Sequence, residues 1–129
     1  MLIATWNVNS IRTRLSQILD WINKSNPDIL CLQETKVMDD SFPVEPFEKL
    51  GYSVEIYGQK SYNGVAIISK IKPENVKKGF YGCTKSNQNI EIFQDQKRLI
   101  SADIKGITII KSFFNIFWLY FGNNSHTIV

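Results

Sequence analysis

The sequence predicts an α/β (α+β) domain, and three observations carry that reading. A β-favouring run, a helical repeat and a wholly apolar run follow one another between Leu2 and Gln33. That order is a β-α-β unit. The apolar run Ile29-Leu-Cys-Leu stops at a polar edge, Gln33-Glu34-Thr35-Lys36. From Tyr52 onward the pattern changes to short strands joined by turns, which adds an antiparallel part.

In chain order, Leu2 to Trp6 is the first strand, closed by the turn and cap residues Asn7-Val8-Asn9-Ser10. Ile11, Leu15, Ile18, Leu19 and Ile22 recur at helical spacing. Ser10 is the expected N-cap, and Lys24 followed by Ser-Asn-Pro27 the expected stop. Asp28 to Gln33 is the second strand. A right-handed crossover makes the two strands parallel, so both end on one sheet edge. Asn7 and Glu34 are therefore expected side by side, although 27 positions separate them.

Asp39-Asp40-Ser41-Phe42-Pro43 reads as a surface loop, with exposed or capping aspartates favoured over a metal site. Pro43 to Leu50 is a short helix closed by Gly51. Tyr52 to Tyr57 and Val65 to Ser69 are strands, joined by a loop that carries Lys60 and Tyr62. That cation and ring suit a nucleic-acid backbone, and Tyr62 serves equally as a half-buried loop anchor. Lys70, Lys72, Lys77, Lys78 and Lys85 form a loose basic stretch, read as a solvated face with a DNA-facing role as the alternative. Ile90 to Phe93, Arg98 to Ile104 and Ile107 to Ile110 read as an antiparallel meander.

With 129 residues, 43% of them hydrophobic and 21% charged, the chain is long and apolar enough for one domain with a real core. A net charge of +3 permits a polyanionic partner without requiring one. Cys31 and Cys83 lie far apart in no metal-type spacing, so neither a disulfide framework nor a zinc site is expected. The start Met-Leu-Ile-Ala-Thr-Trp has no basic leader, which argues against a signal peptide and for a cytoplasmic setting. All 27 charged residues lie at or before Lys111, while six aromatics crowd into the nine residues from Phe113 to Phe121. The tail is too short and too interrupted for a membrane span, which needs ~20 apolar residues.

At the polar edge, Glu34, Thr35 and Lys36 put an acceptor, a hydroxyl and a cation on one rim. A metal and a phosphate suit that trio, and a strand end that is merely polar is the plainer alternative.

Ala4-Thr-Trp-Asn-Val-Asn-Ser-Ile-Arg12 followed by Pro27-Asp-Ile-Leu-Cys-Leu-Gln-Glu-Thr-Lys36 resembles the exonuclease III group of the endonuclease/exonuclease/phosphatase superfamily, which also holds apurinic/apyrimidinic endonucleases. The likeness continues through Phe42-Pro43, Leu50-Gly-Tyr52, Tyr57-Gly-Gln-Lys60, Gly64-Val-Ala-Ile67 and Lys97-Arg98. It covers residues 1–110 as a partial domain and leaves 111–129 as a divergent aromatic-rich tail. The resemblance implies the N-terminal half of a four-layer α/β sandwich, two packed mixed β-sheets flanked by helices. It also implies Mg2+-dependent hydrolysis of DNA phosphodiesters, with Mn2+ as the substitute ion. The expected partner is double-stranded DNA with abasic sites or 3′ ends, met by a monomer without a membrane. Carried over residue by residue, Glu34 and Asn7 are the metal ligands and the catalytic residues. Arg12, Lys36, Lys60 and Tyr62 are the substrate-binding candidates, by placement.

The Gly-Asp-x-Asn motif and the C-terminal Ser-Asp-His of the family have no counterpart here. His126 follows Ser125 but no aspartate and is not read as catalytic. Past Ile110 the family tyrosine falls at Phe113, and the loss of charge suggests a frameshifted end that is poorly matched to the fold. The expectation is an exodeoxyribonuclease III-like chain inactive alone. The alternatives are a non-catalytic DNA- or protein-binding fragment completed by a separate second half, and a phosphatase of the same superfamily.

Overall fold

The computed structural model describes residues 1–80, 96–113, 117–121 and 124–126. The N-terminal unit is β1 (Ile3–Asn7), α1 (Ile11–Ser25) and β2 (Ile29–Gln33). β1 and β2 pair in parallel, with Ile3 opposite Ile29 and Asn7 opposite Gln33. α1 starts at Ser10, whose side chain accepts from the Thr13 N–H at 3.4 Å. It ends at Asn26, a left-handed cap whose N–H donates to the Ile22 carbonyl. Ser10→Ala is expected to cost about 0.5–1 kcal/mol, read as a lower urea midpoint at unchanged slope.

After a 3-10 turn at Asp39–Ser41 comes α2 (Glu45–Lys49), shorter at both ends than the sequence predicts. Gly51, at φ +84, turns the chain into β3 (Ser53–Tyr57). β4 (Val65–Ser69) pairs antiparallel with both β2 and β3, so the first sheet has the order β1-β2-β4-β3 and is mixed. All five residues of β2 and of β4 are buried, because each strand is covered on both faces.

The second sheet contains β5 (Glu74–Lys78), β6 (Leu99–Ile104), β7 (Ile107–Ser112), β8 (Phe117–Phe121) and β9 (Asn124–His126), in that order. Every strand pairing described in it is antiparallel. β5 runs through the stretch read from sequence as a solvated basic face. Val76 alone among its residues packs on the core, so charges conceal the two-residue period. β7 continues to Ser112, two residues past the expected end, and β8 and β9 extend the sheet where the sequence reading saw a segment poorly matched to the fold. The expected strand Ile90 to Phe93, with Cys83 and Lys85, lies outside the described residues.

Alternation along the strands builds two cores. Leu30, Leu32, Ala66 and Ile68 point to Ile11, Ile18, Ile22 and Phe47 of the helices. Ile29, Cys31, Val65 and Ile67 point to Ile100, Ala102, Ile104, Ile107 and Ile109 of the second sheet. The described layers are thus helices, a mixed sheet and an antiparallel sheet. The two expected sheets are packed face to face.

Candidate active site

The parallel pairing of β1 and β2 brings their C-terminal ends to one edge. The backbone then zips the two exits together. The N–H groups of Val8, Ser10 and Ile11 donate to the carbonyls of Gln33, Glu34 and Thr35 at 3.0, 2.8 and 3.0 Å. On this frame the Asn7 amide Nδ2 donates to Glu34 Oε1 at 2.8 Å, and Asn7 Oδ1 accepts from the Asn9 N–H at 3.1 Å. Lys36 Nζ lies 3.4 Å from Glu34 Oε2 and also donates to Asn9 Oδ1. An ion pair this exposed contributes under about 1 kcal/mol, so its consequence is orientation of the carboxylate more than stability.

The edge is held in uncommon backbone. Of nine non-glycine residues with positive φ among those described, six lie here: Asn9, Ser10, Glu34, Lys36, Ser61 and Asn63. Each costs of order 1 kcal/mol and persists only where neighbours enforce it. The enforcing neighbour is the loop between β3 and β4. Thr35 and Lys36 donate their N–H groups to the carbonyls of Gly64 and Asn63, at 3.2 and 3.1 Å, and Ser61 N–H returns a bond to the Lys36 carbonyl.

The same loop ties in a third segment. Gly64 N–H donates to the Lys97 carbonyl at 2.9 Å, and Arg98 Nε donates to Asn63 Oδ1 at 3.2 Å. The Arg98 guanidinium lies 4.7 Å from the centre of the Phe113 ring, and Lys97 Nζ lies 4.4 Å from that of Tyr57.

Asn7, Glu34 and Lys36 thus form one cluster. Lys60 and Tyr62 flank Ser61 on the adjoining loop and are exposed; Tyr62, at 70% exposure, is no half-buried anchor. Arg12 is exposed in the first turn of α1, one residue beyond the zipped backbone. Lys97 and Arg98 join the rim although sequence reading gave them no role; two adjacent cations just before a strand were the available signal. Asp39 sits at the start of the 3-10 turn, its carboxylate accepting from the Gly58 N–H at 2.6 Å.

Behind the edge lies a buried polar chain that sequence reading missed. Lys111 is fully buried and donates from Nζ to Thr5 Oγ1 at 2.7 Å; Thr5 in turn bonds Gln33 Oε1 at 3.3 Å. Burial pulls the Lys111 ammonium down to about 8, the nearby Cys31 opposing, and pushes the Cys31 thiol up to about 12.

Among the described residues no group of three His, Cys, Asp or Glu side chains is placed to hold a metal ion. Asn7 and Glu34 nonetheless offer hard oxygen donors. Mg2+ needs no more than one or two carboxylates when water and a substrate phosphate supply the rest, so the pair fits such an ion.

A profile of the Endonuclease/Exonuclease/phosphatase family matches residues 4–101. Exodeoxyribonuclease III of Haemophilus influenzae is 37% identical over 118 residues, which are 88% of this chain and 41% of that protein. An AP endonuclease from Archaeoglobus fulgidus superposes with TM-score 0.74 at 46% identity, over 85% of this chain and 40% of that one. The 3′ phosphatase NExo from Neisseria, bound to a product DNA hairpin, superposes with TM-score 0.72 at 38% identity, over 84% and 39%. The chain spans about two-fifths of the length of these three relatives.

Proposed function

We infer that this chain, which belongs to the endonuclease/exonuclease/phosphatase family, carries one wall of the active centre of an exodeoxyribonuclease III-type hydrolase. Its substrate is double-stranded DNA at abasic sites or 3′ ends, and its ion is Mg2+, with Mn2+ as substitute. The supporting observation is the Asn7 amide donating at 2.8 Å to the Glu34 carboxylate, with Lys36 on the other oxygen.

A phosphodiester is shielded from attack by its own negative charge. When bound, the divalent ion supplies charge neutralisation at the phosphate oxygens. Glu34 gives that ion a charged ligand. Asn7 orients the carboxylate and adds polarity without repelling DNA. Lys36, Lys60 and Arg12 meet backbone phosphates, and Tyr62 offers an exposed ring to the sugar-phosphate chain or a base.

Among the described residues no histidine, aspartate or tyrosine bonds to the Asn7–Glu34 pair. Groups that act together in catalysis lose nearly all rate when some are missing. The 129-residue chain alone is therefore expected to bind metal and DNA and to cleave at background rate. No described helix is long and apolar enough to cross a membrane. Free, buried Cys31 suits a reducing compartment, and we place the chain in the cytoplasm as a monomer.

Titration with Mn2+, followed by its paramagnetic resonance, tests the site. Glu34→Gln is expected to weaken binding by about tenfold or more. Unchanged affinity would remove Glu34 from the site. Robust Mg2+-dependent incision of an abasic duplex by the chain alone, lost in Glu34→Gln, would overturn the expectation of background-rate cleavage.

A further inference from the structure

We propose that Asn63 is a positioning residue for DNA binding: its backbone holds the Glu34–Lys36 turn while its side chain sets Arg98 in place to meet a backbone phosphate. The proposal deepens the functional reading above and rests on it.

The first observation is that one residue joins two segments of the edge. Asn63 lies in the loop between β3 and β4 at φ +50 and is 9% exposed. Its carbonyl accepts from the Lys36 N–H at 3.1 Å, two residues past Glu34. Its side chain serves the second sheet instead. Oδ1 accepts from Arg98 Nε at 3.2 Å, and Nδ2 donates to Gln59 Oε1 at 2.8 Å. Gln59 Oε1 also accepts from the Lys97 N–H at 3.4 Å. Arg98 is anchored in turn, its carbonyl accepting from the Phe113 N–H at 2.8 Å. Asn63 thus bonds the exit of β2 through its backbone and the approach to β6 through its amide.

The second observation is how Arg98 is held. A guanidinium is planar, with its donors in the plane. The Asn63 bond fixes one of those donors, and the group sits over the Phe113 ring at 4.7 Å. A cation oriented in advance loses less freedom on meeting a phosphate than a mobile one. Lys60 and Tyr62, on the same loop, then stand in a fixed relation to it.

The third observation is the chemistry of the acceptor. An amide oxygen orients Arg98 without taking its charge. A carboxylate of the same size would bind the guanidinium more strongly, neutralise it and repel DNA. Asparagine also tolerates the left-handed backbone, as aspartate and glycine do. Asn63→Gly and Asn63→Asp therefore change the side chain while the carbonyl to Lys36 stays.

The test measures three quantities on the full chain: affinity for an abasic-site duplex over a salt series, Mn2+ affinity, and the urea midpoint. Asn63→Gly is expected to weaken duplex binding about fivefold and to shrink its salt slope by about one, with Mn2+ affinity unchanged. Arg98→Ala should cause the same loss, and the double variant no further one. Asn63→Asp should weaken the duplex as much, although it keeps an acceptor for Arg98. A residue that only stabilises the fold would move the urea midpoint and leave the salt slope alone. No loss in Asn63→Gly, additive losses with Arg98→Ala, or equal weakening of Mn2+ and duplex would overturn the proposal. Where Asn63→Gly unfolds, proton exchange in the unsubstituted chain decides. The Arg98 Nε–H should exchange about tenfold or more slower than that of exposed Arg12, and equal rates would overturn the proposal. A chain that binds Mn2+ through Glu34 but no duplex would sink the DNA reading and the proposal together. Duplex binding indifferent to Asn63 would sink the proposal alone.

Discussion

Lys111→Met is expected to stabilise the fold at pH 7 by about 2 kcal/mol and to remove most of its stability change between pH 7 and 9. Lys111 is fully buried, its one hydrogen-bond acceptor among the described residues is the Thr5 hydroxyl, and no described carboxylate pairs with it. A buried ammonium without a counter-charge is costly, and methionine fills the same volume without the charge. Burial lowers the folded pKa from 10.5 to about 8. The unfolded chain therefore binds this proton more tightly than the folded one. The resulting penalty is complete below pH 8, shrinks as pH rises toward 10.5, and is absent above it. That gap is worth roughly 3 kcal/mol, from which the lost bond to Thr5 subtracts about 1 kcal/mol. Cys31 acts the other way. Its thiol, raised from 9.0 to about 12, favours the fold below pH 9, and that contribution is lost as pH rises from there toward 12. Urea unfolding at pH 7 and pH 9 isolates the lysine: the wild-type chain should gain roughly 1 kcal/mol and Lys111→Met should not. Equal pH profiles would mean that Lys111 reaches water.

Gly64→Ala is expected to destabilise by about 2–4 kcal/mol and to loosen the metal site with it. An added Cβ would lie 2.1 Å from Thr35 Oγ1 and 3.3 Å from the Lys36 backbone nitrogen, at φ +87. Thr35 Oγ1 is buried without a hydrogen-bond partner among the described residues, on a turn bonded on both sides, so it has little room to yield. The loop carrying Lys60 and Tyr62 must then lift off the Glu34–Lys36 turn. Adding Thr35→Ala removes the steric conflict but not the backbone strain. The double variant should recover all but about 1 kcal/mol. Additive losses in urea unfolding would show that the contact is not what fixes the loop, and Mn2+ affinity should track the same pattern.

The β-α-β unit, the Ser10 cap and the meeting of Asn7 with Glu34 were legible in the letters. Their causes are local: a 3.6-residue period, a two-residue period, and a crossover with one allowed hand. Lys111 was not legible, since a lysine after an apolar strand reads as solvated. Its direction is set by pairing opposite Ile100, which turns it into the space between the sheets. β5 was hidden for a related reason, a single apolar residue among charges. Lys97 and Arg98 reached the rim only because Asn63 and Gly64 bind them. Sequence by itself determined the fold class and the two residues at the candidate site. Tertiary structure decided which cations surround them and which charge is buried behind them, because a side chain's face depends on its partner strand and not on its neighbours in the chain.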